Sequence, residues 1–143
     1  MAAPRLVLDA SVVIKWLLPE EGRPQALAYR TRYRNGDLEL IAPHLLVAEI
    51  GNVLWKRVRR GELSPHEAQT AFDRFLRDAP QLVGSPLVAA RALELANRHG
   101  RTVYDCLYLS LALSEGCDLI TADQRLVRAL DRVFPCVKPL FSR

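Results

Sequence analysis

Residues 5–19 read RLVLDASVVIKWLLP. The short apolar run Arg5–Leu8 predicts a strand, and Asp9 follows it directly. Ser11–Leu18 has helical character as far as Pro19, which ends the helix because proline lacks the backbone N–H that a helix interior needs. The stretch therefore predicts a strand, a turn and a helix, with a carboxylate at the carboxyl end of the strand.

The rest of the chain repeats this alternation. Short apolar segments predict further strands at Leu38–Ala42, Gln81–Val83, Leu119–Thr121 and Val137–Leu140. Periodicity and capping residues predict helices at Pro24–Arg34, from Pro43 to Gly61, from Ser64 to near Pro80, at Pro86–His99, from Thr102 to about Glu115, and at Asp123–Val133. Strands this short and apolar indicate a parallel sheet that is covered on both faces. We expect one three-layer α/β/α domain over residues 1–143, with a central parallel sheet of four to five strands.

Composition narrows the class of protein. The chain has 143 residues, of which 50% are hydrophobic and 25% charged, as in a globular domain. No apolar run approaches the roughly 18 residues of a membrane span, and the first residues lack the pattern of a signal peptide. We therefore expect a cytoplasmic protein with no membrane partner.

Charge and cysteine content limit the ligands. The chain carries 20 basic and 16 acidic residues, a net charge of +4, which is compatible with a polyanionic partner but does not establish one. The three cysteines, Cys106, Cys117 and Cys136, are odd in number and widely spaced. This spacing argues against a disulfide framework and against a zinc site, and predicts buried thiols.

Three acidic residues follow strands or begin helices, and each has two explanations. Asp9 suits a helix N-cap, Asp105 lies three residues after Thr102 at a capping-box position, and Asp123 suits the first turn of a helix. Two of them, Asp9 and Asp123, also lie where the carboxyl ends of parallel strands place ligands. The sequence leaves both the capping and the catalytic interpretation open.

Glu49 differs because no capping role explains it. It lies three residues after Leu46 and four before Val53, which places a carboxylate on the apolar stripe of its helix. A buried carboxylate needs a partner, and a cation from outside the chain is the simplest one. Solvent at the end of the sheet is the alternative.

Convergence of these acids would require a positive charge between them, because their mutual repulsion raises pKa values. Ligation by carboxylates alone, with Ser11 and Thr121 as hydroxyl neighbours, favours Mg²⁺ or Mn²⁺ over zinc or copper. Such an ion can activate water and stabilise the charge that develops in phosphodiester hydrolysis. The predicted chemistry is therefore cleavage of a nucleic-acid backbone.

Four segments carry a resemblance to a known family. Residues 9–20, DASVVIKWLLPE, resemble the opening of PIN-domain proteins of the VapC toxin type. The stretch 43–52, with Glu49, is similar to the second acidic motif of that family, residues 104–112 (YDCLYLSLA) to the third and residues 119–126 (LITADQRL) to the fourth. The order of the four motifs is more specific than any one of them.

The resemblance implies a PIN-like fold and a toxin of a toxin–antitoxin pair. Such a toxin is an Mg²⁺- or Mn²⁺-dependent endoribonuclease, usually dimeric, that acts on RNA and is held inactive by a small antitoxin. The resemblance assigns metal ligation to the four acids, Asp9, Glu49, Asp105 and Asp123, and supporting roles to Ser11 and Thr121. Cys106 departs from the small residue expected after the third acid, and we interpret it as a packing residue.

Other candidates have simpler explanations. Arg57, Arg59 and Arg60 could bind RNA phosphates, but a basic helix end is more often solvated and matched to the helix dipole. Trp16 and Trp55 could stack on bases, but their helical spacing favours core or interface positions.

Two further functions remain possible. A phospho-acceptor signalling domain should have an Asp after the middle strand, and residues 81–85 contain none. A catalytically silent PIN-like module that binds RNA or protein would fit an incomplete set of acids, whereas all four are present.

Overall fold

The structure, a computed structural model, describes residues 2–141. Within this range the strands are β1 (Arg5–Leu8), β2 (Glu39–Pro43), β3 (Gln81–Val83), β4 (Asp118–Thr121) and β5 (Val137–Pro139). The helices are α1 (Ala10–Val13), α2 (Arg23–Arg34), α3 (Leu45–Arg59), α4 (Pro65–Asp78), α5 (Pro86–His99), α6 (Val103–Glu115) and α7 (Gln124–Leu130). A 3-10 turn at Ile14–Trp16 continues α1.

The sheet has five strands in the order β3-β2-β1-β4-β5, and every neighbouring pair is parallel. The central strand β1 places Leu6 beside Leu40 of β2 and beside Asp118 of β4. The chain moves outward from β1 to β3 and then returns to the other side of β1. The switch point of the sheet therefore lies between β1 and β4, where ligands of open α/β sheets bind.

Burial of the central strands shows that the sheet is covered on both faces, as the sequence predicts. Leu8, Ile41 and Leu119 of the three central strands are fully buried or nearly so. Helix α6 buries a continuous stretch from Tyr108 to Ala112, so it is an interior helix without a polar face. Among the helices within residues 2–141, none combines the length and hydropathy needed to cross a membrane.

Helix starts follow the predicted capping chemistry closely. Ser64 and Glu67 form the predicted capping box, with Glu67 N donating to Ser64 Oγ at 3.0 Å and Ser64 N donating to Glu67 Oε1 at 2.9 Å. Gly100 ends α5 with φ of 68°, which favours glycine because other residues are strained there. The predicted start of α4 at its capping box and the predicted end of α5 at Gly100 are therefore confirmed.

Four predicted boundaries are wrong, and backbone hydrogen bonding or strand pairing decides the first three. The helix predicted at Ser11–Leu18 is one α-helical turn followed by a 3-10 turn, since the N–H groups of both Leu17 and Leu18 donate to the Ile14 carbonyl. Pro43 belongs to β2, where it pairs with Val83, so α3 begins at Leu45 instead.

The other two boundaries lie near the carboxyl end of the chain. Helix α7 ends at Leu130 rather than Val133, because the N–H groups of Val133 and Phe134 both donate to the Leu130 carbonyl and close a turn. The segment predicted at Val137–Leu140 is strand only to Pro139.

The tryptophans and cysteines divide between core and surface. Trp16 is buried, with Nε1 donating to the Ala26 carbonyl at 2.9 Å, whereas Trp55 is 57% exposed and is not a core residue. Cys106 is buried as predicted, and all three thiols are free. The prediction of burial is wrong for Cys117 and Cys136, which are only half-buried because they lie at or just before the amino-terminal ends of β4 and β5.

Candidate functional site

Asp9 caps α1, as its capping interpretation predicts, and lies at the carboxyl end of β1. Its carboxylate accepts hydrogen bonds from the Ser11 backbone at 3.1 Å and from Ser11 Oγ at 2.5 Å. The residue is only 7% exposed. No Lys or Arg within residues 2–141 forms an ion pair with it.

Burial makes the charge of Asp9 costly. Desolvation raises the pKa of Asp9 to about 6, the hydroxyls of Ser11 and Thr121 partly offset this shift, and the negative charge of Glu49 adds to it. Asp9 and Glu49 are therefore close enough to repel each other across the junction of β1 and α3. A cation placed between them would relieve this repulsion.

Glu49 is half-buried in α3, and the partner it requires is a phenol rather than a cation. The Tyr108 hydroxyl of α6 donates a hydrogen bond to Glu49 Oε1. Burial raises the pKa of Glu49, the Tyr108 hydrogen bond lowers it, and the charge of Asp105 raises it further. Sequence reasoning missed Tyr108, although its position three residues after Asp105 places both on one face of α6.

Ser11 and Thr121 tie the ends of β1 and β4 together. Ser11 Oγ accepts a hydrogen bond from the Ala122 N–H at 2.9 Å and lies 3.4 Å from Thr121 Oγ1. Thr121 Oγ1 in turn accepts from the Asp123 N–H at 3.0 Å. These contacts connect Asp9 on one strand to Asp123 beyond the other.

Asp105 and Asp123 share a cation that belongs to the chain. Arg101 Nη2 lies 3.1 Å from Asp105 Oδ2 and 3.8 Å from Asp123 Oδ2. Asp123 also caps α7, because its Oδ1 accepts from the N–H groups of Arg125 and Leu126 at 3.0 and 3.2 Å. Arg101 was also missed, although it precedes Asp105 by four residues, a spacing at which opposite charges in helices pair.

The four acids thus lie near one another at the switch point of the sheet, and we call them, with the residues that connect them, the acidic ring. Contacts connect Asp9 through Ser11 and Thr121 to Asp123, and Asp123 through Arg101 to Asp105. Glu49 contacts Tyr108, and charge repulsion relates it to Asp9 and Asp105. The charges of Glu49, Asp9 and Asp105 all act on the Tyr108 hydroxyl and, together with its burial, raise the pKa of that group. The phenol is therefore a neutral donor among three carboxylates.

The donor chemistry of the acidic ring fits a hard divalent cation. Apart from the Arg101 guanidinium, its side chains offer only carboxylate and hydroxyl oxygens, together with repulsion that a cation would relieve. Within residues 2–141, no three His, Cys, Asp or Glu side chains are already grouped as a metal site. Mg²⁺ usually keeps several waters and is held by one or two protein carboxylates, so the donors do not need to form a closed cage.

The basic end of α3 has structural contacts of its own. Arg57 pairs with Glu20 at 2.5 Å and with Glu62 at 3.0 Å, and Glu20 also pairs with the buried Lys15. Arg59 lies over the Trp55 ring, 5.9 Å from its centroid. Arg57 is thus engaged in holding the loop after α1 against α3.

Comparisons with known proteins agree with this architecture. The family described as PIN domain matches residues 6–131. Ribonuclease VapC3 of Pyrobaculum aerophilum is 36% identical over 124 residues, which cover 85% of this chain and 92% of that protein. Among solved structures, PAE2754 of Pyrobaculum aerophilum superposes with a TM-score of 0.67 at 29% identity, over 90% of this chain and 87% of the other.

A more distant structure shares the fold alone. VapBC2 of Rickettsia felis, solved bound to a DNA fragment from its promoter, matches with a TM-score of 0.65 at 15% identity. The match covers 94% of this chain and 96% of the other.

Asp9→Asn should stabilise the metal-free protein above pH 6. Because the folded state raises the Asp9 pKa from 3.8 to about 6, the wild type binds this proton more tightly when folded. Its stability therefore falls as pH rises from about 4 to 6, at a cost of about 2–3 kcal/mol at most that the amide avoids. Urea unfolding in chelator at pH 4 and pH 8 measures the difference between the two proteins. Equal stability differences at both pH values would contradict the buried charge.

Tyr108→Phe should destabilise the fold and raise the pKa of Glu49. Loss of a hydrogen bond to a half-buried carboxylate costs about 1.5–3 kcal/mol and removes a contact that favours the ionised form. Urea unfolding measures the first effect, and carboxyl-carbon NMR titration of Glu49 measures the second. Tyr104→Phe is the matched control, because Tyr104 lies on the same helix but is 62% exposed. Identical behaviour of the two variants would remove Tyr108 from the acidic ring.

Proposed function

The chain belongs to the PIN-domain family, in its VapC branch, and from this premise we propose that it is a metal-dependent endoribonuclease acting as the toxin of a toxin–antitoxin pair. The observation that carries the proposal is the acidic ring at the switch point between β1 and β4. The name of ribonuclease VapC3 supports RNA as substrate. We also propose that residues 1–143 act as one PIN domain.

Mg²⁺ or Mn²⁺ would be held by Asp9, Glu49, Asp105 and Asp123. When bound, such an ion lowers the pKa of a water ligand and stabilises the charge that develops on a phosphodiester under attack. The two most buried acids of the ring, Asp9 and Glu49, have raised pKa values and thus the most to gain from a cation. We assign them the main part of the binding energy.

The remaining residues of the acidic ring hold the ligands in place. Ser11 donates to the Asp9 carboxylate and accepts from the Ala122 N–H, which fixes the orientation of Asp9 relative to β4. Thr121 fixes the backbone at Asp123. Tyr108 orients Glu49 and keeps its own proton, since its raised pKa leaves the phenol neutral at physiological pH. Preorganisation of this kind lowers the cost of assembling the site during reaction.

The proposed partners follow from the family. A small antitoxin is the partner that the family resemblance implies, and the name VapBC2 of the Rickettsia felis structure supports it. We further propose a homodimer and action in the cytoplasm, where the RNA substrate is found. The net charge of +4 would favour approach of that polyanion.

Membership of the PIN family sets aside a phospho-acceptor signalling domain. The strand β3, Gln81–Val83, is followed by Gly84 and not by an acid. It is also an edge strand and not the middle strand of the sheet. A cleavage assay distinguishes the proposed nuclease from a catalytically silent PIN module, which would not cleave RNA.

Purified protein, free of antitoxin, should cleave RNA in Mg²⁺ or Mn²⁺ and lose this activity in excess chelator. Asp9→Asn should lower the rate at least about 100-fold, because it removes a charge from the proposed metal site without disturbing the fold. Gel analysis of total cellular RNA measures cleavage, and thermal unfolding verifies folding.

The matched control for this experiment is Asp73→Asn, which makes the same change on an exposed surface of α4. It should cleave at the wild-type rate. Cleavage by wild type in chelator, or by Asp9→Asn at full rate, would refute the mechanism. No cleavage by any form under any metal would favour the silent module.

Expression of the chain alone should arrest growth, and expression with the protein encoded beside it should restore growth. The reason is that a tightly bound antitoxin would block the acidic ring. Growth curves and co-purification through a tag on the toxin measure the two effects, with Asp9→Asn as the inactive control. Normal growth under strong expression, with no neighbour retained on the tag, would remove the toxin assignment while leaving the nuclease assignment to the cleavage assay.

A further inference from the structure

We propose that Arg101 is a built-in counter-cation that occupies the Asp105–Asp123 side of the acidic ring and competes with the divalent cation for these carboxylates. The inference rests on the proposed function, since it concerns the metal site assigned above. It assigns to Arg101 a lowering of metal affinity, which is the opposite of the effect proposed for the four acids.

The contacts of Arg101 are those expected of a cation that bridges two ligands. Its Nη2 lies 3.1 Å from Asp105 on α6 and 3.8 Å from Asp123 at the start of α7. The two carboxylates come from different elements and would otherwise repel each other. A single guanidinium nitrogen thus does for this half of the ring what a metal ion would do.

The charge distribution around the acidic ring is therefore asymmetric. No Lys or Arg of the described chain, residues 2–141, pairs with Asp9 or Glu49, whereas Asp105 and Asp123 share Arg101. A cation entering from solvent gains most at the Asp9–Glu49 side. It reaches the other two acids only by taking over the place of the guanidinium.

The backbone holds Arg101 in position for this role. It lies in the three-residue connection between α5 and α6, directly after Gly100, which ends α5 with φ of 68°. The next residue, Thr102, caps α6 by accepting from the Asp105 N–H at 3.1 Å. The backbone of Arg101 is therefore held next to the start of α6, so displacement of its guanidinium requires only rotation of the side chain.

The ion pairs of Arg101 with the two acids are also weak enough for a metal ion to displace the guanidinium. Arginine binds carboxylates most strongly through two parallel N–H bonds, but here both contacts use the same nitrogen. Arg101 Nε is buried and finds no hydrogen-bond acceptor among residues 2–141. The guanidinium thus leaves part of its hydrogen-bonding capacity unused. A divalent cation that binds Asp105 and Asp123 can therefore take its place.

The test is calorimetric titration of Mn²⁺ into the full chain, for wild type, Arg101→Gln and Arg98→Gln. Arg98 lies three residues earlier on an exposed surface of α5, so its variant removes the same charge outside the ring. Arg101→Gln should bind Mn²⁺ about three- to tenfold more tightly than wild type, as loss of one nearby, partly screened charge predicts. Arg98→Gln should bind with wild-type affinity.

Two further measurements separate competition from a structural role. In chelator, Arg101→Gln should unfold at a lower temperature than Arg98→Gln, because Asp105 and Asp123 lose their shared partner. Added Mn²⁺ should raise the unfolding temperature of Arg101→Gln by more than that of wild type. Arg101→Lys keeps the charge and should retain Mn²⁺ affinity within about twofold of wild type.

Equal Mn²⁺ affinity of Arg101→Gln and Arg98→Gln, with binding intact, would overturn this inference and leave the proposed function standing. Weaker binding by Arg101→Gln would also overturn it, since Arg101 would then support the ligands instead of competing for them. Absence of Mn²⁺ binding by the wild type would overturn both.

Discussion

The structure depends on the cost of placing several carboxylates where parallel strands end. Parallel strands direct their carboxyl ends to one edge, and the switch point between β1 and β4 lies at that edge. Asp9 is the extreme case, because it is buried beside another acid and has no cationic partner within residues 2–141. Hydroxyls, a phenol and one arginine reduce this cost without removing it. The residual repulsion is the reason for our proposal that this edge binds a divalent cation.

The sequence predicted the fold well because its signals were local. Apolar strands such as Leu119–Thr121 and caps such as Ser64 act within a few residues, and both were placed correctly. At Pro43, pairing with the strand β3 decided the boundary. Within the helix predicted at Ser11–Leu18, the Ile14 carbonyl, which accepts two N–H groups, decided it. Such decisions involve residues far away in sequence or a choice between two close hydrogen-bond patterns, and periodicity alone records neither.

The site divides in the same way. The four acids could be named from position and resemblance, because each follows a strand, lies in the first turn of a helix or interrupts an apolar stripe. Tyr108 and Arg101 could not, since their importance lies in contacts across elements: Tyr108 reaches Glu49 on α3, and Arg101 reaches Asp123 at α7. A tyrosine in an apolar helix and an arginine in a loop are ordinary in sequence. Only the tertiary structure, which brings Tyr108 to Glu49 and Arg101 to Asp123, gives them partners.

Capping and the proposed metal ligation are compatible roles for the same acid. A carboxylate has two oxygens, and Asp123 uses them separately. Its Oδ1 accepts the Arg125 and Leu126 N–H groups at the start of α7, whereas its Oδ2 faces Arg101. The cap fixes the orientation of the side chain and so directs the second oxygen toward Arg101. A capping acid would therefore be preorganised for the ligand role that we propose, because its local hydrogen bonds already hold one oxygen in place.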